Sequence, residues 1–208
     1  MVDFLHERRL EGLVAGLDEV GRGPLAGPVV AAAVIVANKR VPPRLRGLVD
    51  DSKRLTPARR AQAFASLRAC AADGELWFAL GAAATREIDA INILQASFLA
   101  MRRALARLAK RPDAILVDGN RLPPGIGLPG EAIVGGDARC FSIAAASIIA
   151  KEVRDQAMRR LAARHPGFGW ESNMGYGTRS HLQGIESRGA TRHHRLSFAP
   201  LATARDGV

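Results

Sequence analysis

Two adjacent carboxylates, Asp18 and Glu19, close an apolar run, and Gly21-Arg22-Gly23 and a second apolar run follow directly. Carboxylates at a strand end suit a hard divalent cation, which prefers oxygen ligands. A glycine-flanked turn lets backbone amides approach a ligand closely, because no Cβ stands in the way. Arg22 adds a planar, permanently charged fork that matches phosphate geometry. Metal ligands beside a phosphate-reading turn point to phosphodiester chemistry.

Two further acids extend the set. Asp118 lies in Val117-Asp118-Gly119-Asn120, and Asp137 follows Gly135-Gly136. Both fall at or just beyond the ends of predicted strands, where open α/β sheets place ligands. Four converging carboxylates would each disfavour ionisation of the next, and divalent ions remove that conflict. No cluster of His or Cys suggests zinc, and oxygen-only ligands favour Mg²⁺ or Mn²⁺. Singly, each acid has a plainer reading. Asp118-Gly119-Asn120 is a common turn sequence, and Asp137 could cap the helix that follows. Asp18-Glu19 is harder to explain that way, since two carboxylates ending a buried strand cost desolvation unless something neutralises them.

Ser147 and Lys151 are four apart, so they share a helix face. That spacing suits a phosphate, but Lys151 could equally pair with Asp155, also four away. Tyr176 is the sole tyrosine and sits in a glycine-flanked loop. An aromatic ring there can stack on a base or sugar.

These stretches resemble the motifs of the type 2 ribonucleases H, specifically the ribonuclease HII family. Asp51-Ser52-Lys53, Val117-Asp118-Gly119-Asn120, Gly136-Asp137, Ser142 to Lys151, Gly175-Tyr176-Gly177-Thr178 and His194-Arg195-Leu196-Ser197-Phe198 occur in the family's order. The resemblance implies a ribonuclease H-like fold, a mixed five-stranded sheet flanked by helices, with helices added at the C-terminus. It implies an endoribonuclease that hydrolyses the RNA strand of RNA–DNA hybrids. The same enzyme would nick duplex DNA 5′ of embedded ribonucleotides, leaving 3′-hydroxyl and 5′-phosphate ends. Asp18, Glu19, Asp118 and Asp137 would be catalytic and would hold Mn²⁺ or Mg²⁺.

By the same resemblance, Gly21, Arg22 and Gly23 would contact the ribonucleotide 2′-hydroxyl and the adjacent phosphate. The 2′-hydroxyl is what distinguishes RNA from DNA. Ser52 and Lys53 would touch the backbone near the scissile phosphate. Ser147 and Lys151 would bind phosphate, and Tyr176 would meet the RNA–DNA junction. The family's tail reads Gly-Pro-Thr before its His-Arg pair, whereas Gly189-Ala190-Thr191-Arg192 stands here. The tail, with His193 and His194, is therefore expected to be surface or phosphate-facing, outside the site. The sibling ribonuclease HIII carries an N-terminal substrate-binding domain for which Asp18 leaves no room. A non-catalytic nucleic-acid-binding module would show a broken carboxylate set, and this one is intact.

Composition agrees with such a partner. The chain has 208 residues, with 30 Lys and Arg against 20 Asp and Glu, a net charge of +10. Cationic surfaces steer and hold phosphate backbones. Ten of the basic residues and five of the acidic ones fall in 151–208. Cys70 and Cys140 are too few for a disulfide framework and suggest a reducing, cytoplasmic setting. Cys140 is expected to be an apolar core residue. No secretory signal is visible, and Val29 to Ala37 is too short to cross a bilayer. The expectation is one catalytic domain over 1–208, acting as a monomer, with 166–208 as a helical and loop extension.

The elements that must position these residues follow from periodicity. Strands are predicted over Leu13–Glu19, Val29–Val36, Leu76–Ala83, Ala114–Val117 and Ala132–Val134. Thr56 is an N-cap with Pro57 at the first helical position. A long helix is predicted over Arg86–Lys110, with Ile91, Leu94, Phe98, Met101, Leu105 and Leu108 forming one buried stripe. Helices are expected over Ser142–His165 and Ser180–Arg188, with Pro166–Gly177 irregular. Strands followed by alternating helix and strand give an α/β class around a mixed sheet.

Overall fold

The computed structural model describes residues 2–52 and 54–202. Lys53 therefore lies outside the described residues.

The apolar run Val29–Val36 forms strand β2, with all eight residues buried. Side chains alternate across a strand, so this run can serve two layers at once. Val30, Ala32, Val34 and Val36 pack against helix α4 (Phe141–Arg164) and helix α2 (Pro57–Ala72). Val29, Ala31, Ala33 and Ile35 pack against helix α3 (Thr85–Ala106). A sheet covered on both faces needs no polar alternation, which explains why β2 is uninterruptedly apolar.

The sheet has five strands, in the order β3-β2-β1-β4-β5. Strand β1 (Val14–Val20) is central. It runs antiparallel to β2 and parallel to β4 (Ala114–Asp118). Strand β3 (Leu76–Ala83) lies antiparallel on the far side of β2, and β5 (Gly130–Ile133) runs parallel to β4. In the β1–β4 register Leu17 faces Val117, so the next residues along are Asp18 and Asp118. Parallel pairing thus delivers the two acids to the same sheet edge.

Helix α4 lies close on β1 because Gly16 has no side chain. A Cβ there would overlap the backbone of Ser142 and Ile143. Gly81 does the same for α3, where a Cβ would overlap the Ala100 carbonyl.

The predicted boundaries hold closely for β2, β3 and α4, and for the Thr56 cap, whose hydroxyl accepts the Arg59 N–H at 3.3 Å. The predicted α3 does not survive as one helix. Asn92 has φ 64° and ψ 166°, breaking the run. Its side-chain oxygen accepts the Gln95 N–H at 3.1 Å, so Asn92 caps a second helical piece. Before the break the phase differs. Ile88 is buried and Ile91 is exposed, while the stripe resumes from Leu94. Strand β5 begins and ends earlier than predicted, and Val134 is 71% exposed. Two short helices were not foreseen, α1 (Leu5–Arg9) and α5 (Trp170–Asn173). Helix α6 (Arg179–Arg188) completes the C-terminal additions. Among the described residues, no helix is long and apolar enough to cross a membrane.

Candidate active site

The sheet edge gathers four carboxylates. Asp18 is buried beside α4, and its Oδ1 accepts the Glu19 N–H at 2.7 Å. Burial holds the Asp18 carboxyl well above its usual range, and the charges of Glu19, Asp118 and Asp137 push it the same way. A hydrogen bond from the Ser147 side chain opposes them. Glu19, the next residue along the strand, lines a cleft on the α3 side with Arg22, Asp118, Asn120 and Arg121. Burial raises Glu19 too, partly offset by Arg22, whose Nη1 lies 3.2 Å from Oε1.

Asp118 ends β4, and its Oδ1 accepts the Gly136 N–H at 2.8 Å. That bond ties the strand end to the 3₁₀ turn Gly136–Ala138, which carries the buried Asp137. The N-cap residue of α4 is Cys140, whose side chain makes no capping bond. The α4 N-terminus is met instead by Glu7, whose Oε1 accepts from the Ser142 N–H at 2.9 Å and the Ser142 hydroxyl at 2.7 Å. A buried carboxylate at a helix N-terminus is favoured by the helix dipole. The sequence offered no sign of that role for Glu7.

Among the described residues, no three acids, histidines or cysteines stand close enough to enclose one ion. The donor set still fits Mg²⁺ or Mn²⁺. Every donor is a carboxylate oxygen, and Mg²⁺ keeps waters and commonly takes only one or two protein carboxylates plus substrate phosphate. The mutual destabilisation of these charges at Asp18 is the electrostatic condition that a bound cation would relieve. Cys140 is no ligand candidate. It is buried, and burial pushes its thiol up to about 12.

The turn beside the carboxylates is built to expose its backbone. Gly21 has φ +93°, and Arg22 projects with its side chain 52% exposed. Gly23 faces Tyr176, whose ring edge lies 3.5 Å from where a Gly23 Cβ would stand. Tyr176 itself is 48% exposed. Ser52 and Ser147 are buried and share a hydrogen bond of 2.8 Å. Lys151, one turn along α4 from Ser147, donates to Asp155 Oδ1 at 2.8 Å. Of the two readings open for Lys151, the ion pair is therefore formed. Asp155 also meets Arg60 at 3.5 Å, and Arg60 binds Glu152 at 2.8 Å.

The tail expectation is corrected. His194 and Arg195 are fully buried, behind the Gly21–Gly23 turn. Arg195 donates to the carbonyls of Gly21 at 2.5 Å, Arg22 at 2.7 Å and Gly27 at 2.9 Å. Burial and the neighbouring Arg154 push its guanidinium down to about 9, which leaves it charged at neutral pH. Charged residues read as surface in a sequence. Arg195 is buried because distant backbone carbonyls satisfy it, and only the fold brings those carbonyls together; His194 is buried against Thr191 and His181.

A mixed sheet of this order, with acids on adjoining parallel strand ends, defines a ribonuclease H-like protein. The family model for Ribonuclease HII matches residues 15–201. The Ribonuclease HII of Rhodospirillum rubrum is 56% identical over 204 residues, covering 98% of this chain and 92% of that relative. Among solved structures, the ribonuclease H2 of Pyrococcus horikoshii OT3 superposes with a TM-score of 0.75 at 27% identity, covering 94% of this chain and 98% of that one. Bst-RNase HIII in complex with Mn²⁺ shares the fold, with a TM-score of 0.70 at 21% identity over 93% of this chain and 69% of that one. The chain belongs to the ribonuclease HII family. It is a ribonuclease H, a hydrolase acting on RNA–DNA hybrids.

Proposed function

We propose that this ribonuclease H also nicks duplex DNA 5′ of embedded ribonucleotides, through in-line attack of water at a site formed by Asp18, Glu19, Asp118 and Asp137. The observation that carries the reading is the buried Asp18, electrostatically coupled to the other three acids, beside a Gly21–Gly23 turn that faces Tyr176.

The four carboxylates would hold two divalent ions, Mg²⁺ or Mn²⁺, which when bound activate a water and stabilise the leaving oxygen. The protein's own groups do the rest. Gly21 and Gly23 leave room for a ribose 2′-hydroxyl to meet main-chain amides. Arg22 binds the adjacent phosphate with its exposed fork. Ser147 supports Asp18, and Ser52 supports Ser147. Lys53 would add charge near the scissile phosphate, with Lys151 further along α4. Tyr176 stacks on the sugar past the junction. The products carry 3′-hydroxyl and 5′-phosphate ends.

The same reading takes residues 1–208 as one catalytic unit with 166–208 as its extension, working as a monomer in the cytoplasm. Two buried free cysteines, Cys70 and Cys140, suit a reducing compartment.

The test is an end-labelled duplex with one embedded ribonucleotide, beside an all-DNA duplex of the same sequence. Cutting only the first, only with Mg²⁺ or Mn²⁺, is the expected result. Equal cutting of both, or full activity in a chelator, overturns the reading.

A further inference from the structure

Arg154 is fully buried in α4, yet the active-site chemistry assigns it nothing. It spans two loops. Its Nε donates to the Pro28 carbonyl at 3.0 Å and its Nη2 to the Ala26 carbonyl at 3.1 Å, both in the segment that continues from the Gly21–Gly23 turn. Its Nη1 donates to the Met174 carbonyl at 2.9 Å, two residues before Tyr176. One rigid fork thus ties the segment after the Gly21–Gly23 turn to the loop that carries Tyr176, the two loops to which the proposed function assigns the ribonucleotide and the following sugar.

We propose that Arg154 is a positioning residue that sets the spacing between the Gly21–Gly23 turn and Tyr176, and thereby the preference for an RNA–DNA junction. The proposal rests on the reading of Tyr176 given above.

Three local features agree with it. The guanidinium lies against Gly21, where a Cβ would overlap Arg154 Nε. The residue at the head of the turn is thus small enough for the fork to pass beneath it. Met174 has φ 51°, left-handed for a non-glycine residue, and such a conformation persists where its surroundings over-determine it. Its carbonyl is one that Arg154 holds. The loops also touch directly, Leu25 N–H donating to the Gly175 carbonyl at 2.8 Å. The fork fixes that junction from below.

Only an arginine does this. Its donors lie in one plane at fixed angles, whereas lysine offers a compact charge on a flexible stem. A buried charge paired only with carbonyls is expensive to keep, so a cheaper apolar residue would serve if packing were the sole requirement.

The experiment compares Arg154→Lys and Arg154→Gln with the wild type. Catalytic efficiency is measured on a duplex with one embedded ribonucleotide and on a continuous RNA–DNA hybrid. The protein is also labelled with 3-fluorotyrosine, which gives a single ¹⁹F resonance because Tyr176 is the sole tyrosine. Thermal melts confirm folding; should the Gln variant unfold, the Lys variant, which keeps the charge, decides alone. The expected result is about a tenfold fall in the junction-to-hybrid efficiency ratio and a shifted or broadened ¹⁹F resonance. An unmoved resonance overturns the proposal. So does a parallel loss on both substrates while Tyr176→Ala still changes the ratio. If Tyr176→Ala itself leaves the ratio unchanged, the reading of Tyr176 has failed, junction preference falls with it, and the resonance reports only whether Arg154 holds the loop.

Discussion

His181 and His194 meet Nε2 to Nε2 at 3.1 Å, and their neighbours dictate which of the two donates. Trp170 Nε1, a donor only, points at His181 Nε2 at 2.9 Å. His181 Nε2 is therefore unprotonated, and its Nδ1–H donates to the Tyr176 carbonyl at 2.9 Å. On the other ring, Nδ1 accepts the Thr191 N–H at 2.9 Å. His194 thus carries its proton on Nε2 and donates it to His181. Both rings are neutral, and together they connect the buried tail to the loop that presents Tyr176.

Neutral buried histidines make stability depend on pH. Burial pushes His194 down to about 4, helped by the nearby His181, and burial lowers His181 as well. In the unfolded chain a histidine titrates near 6.5, so between those values the unfolded state binds the extra proton. Stability should then fall as pH drops from about 6.5 toward 4, with a slope of up to about 1.4 kcal/mol per pH unit for one proton. Urea melts of the wild type and of His194→Asn, taken from pH 7.5 to 5, provide the check. The variant is expected to be less stable at neutral pH but flatter with pH. Equal slopes would refute the assignment.

Much of this architecture is visible in the sequence, and what is hidden has physical causes. Val29–Val36 is legible to the residue because only a strand covered on both faces is continuously apolar for that length. Asp18 and Asp118 are legible as strand ends because parallel pairing makes strand ends coincide. The break at Asn92 is not, since an Asn within a periodic stripe looks tolerable until its own side chain caps Gln95. Lys151 and Asp155 are visible as an i,i+4 pair, but spacing cannot say whether a phosphate or the acid takes the lysine. Arg154 and Arg195 are the least legible. Their partners are main-chain carbonyls of remote segments, and carbonyls leave no mark on composition.

Asp118→Asn should abolish most turnover with the fold intact. The substitution keeps the shape and leaves an oxygen able to accept the Gly136 N–H, but removes one of the charges that would hold a cation. Losing several kcal/mol of transition-state charge stabilisation corresponds to about a hundredfold or greater loss of rate. Without metal the variant should melt no lower than the wild type, because repulsion at Asp18 is relieved. Near-normal turnover would make Asp118 a structural residue.

Salt dependence separates the basic residues. Each phosphate neutralised contributes about −0.9 to the slope of log K against log salt on B-form DNA. Arg22, half exposed at the turn, should reduce that slope by about one unit on substitution by Ala. Lys151 is less exposed and holds the buried Asp155 at 2.8 Å, closer than Arg22 holds Glu19 at 3.2 Å, so Lys151→Ala should change it less. Binding measured between 50 and 300 mM salt tests both. An equal effect of the two variants would mean that Lys151 leaves Asp155 for the substrate.

Tyr176→Ala should impair cleavage at a single embedded ribonucleotide more than cleavage of a continuous hybrid. The ring is half exposed, stands opposite Gly23 and is the sole tyrosine. A lone ribonucleotide is defined by its junction with the following deoxyribose, and a flat ring packs well on a sugar that lacks the 2′-hydroxyl. On a continuous hybrid the next sugar is ribose, so less stacking is there to lose. Stacking worth roughly 1–3 kcal/mol corresponds to about a five- to hundredfold effect when expressed in the transition state. The decisive quantity is the ratio of catalytic efficiencies on the two substrates for wild type and variant. Because His181 holds the Tyr176 carbonyl, His181→Gln, which lacks a donor at the Nδ1 position, should move the ratio in the same direction by a smaller factor. His181→Asn, whose amide can replace that donor, should move it less. An unchanged ratio in Tyr176→Ala would confine the ring to shaping its loop and place the reading of the junction elsewhere.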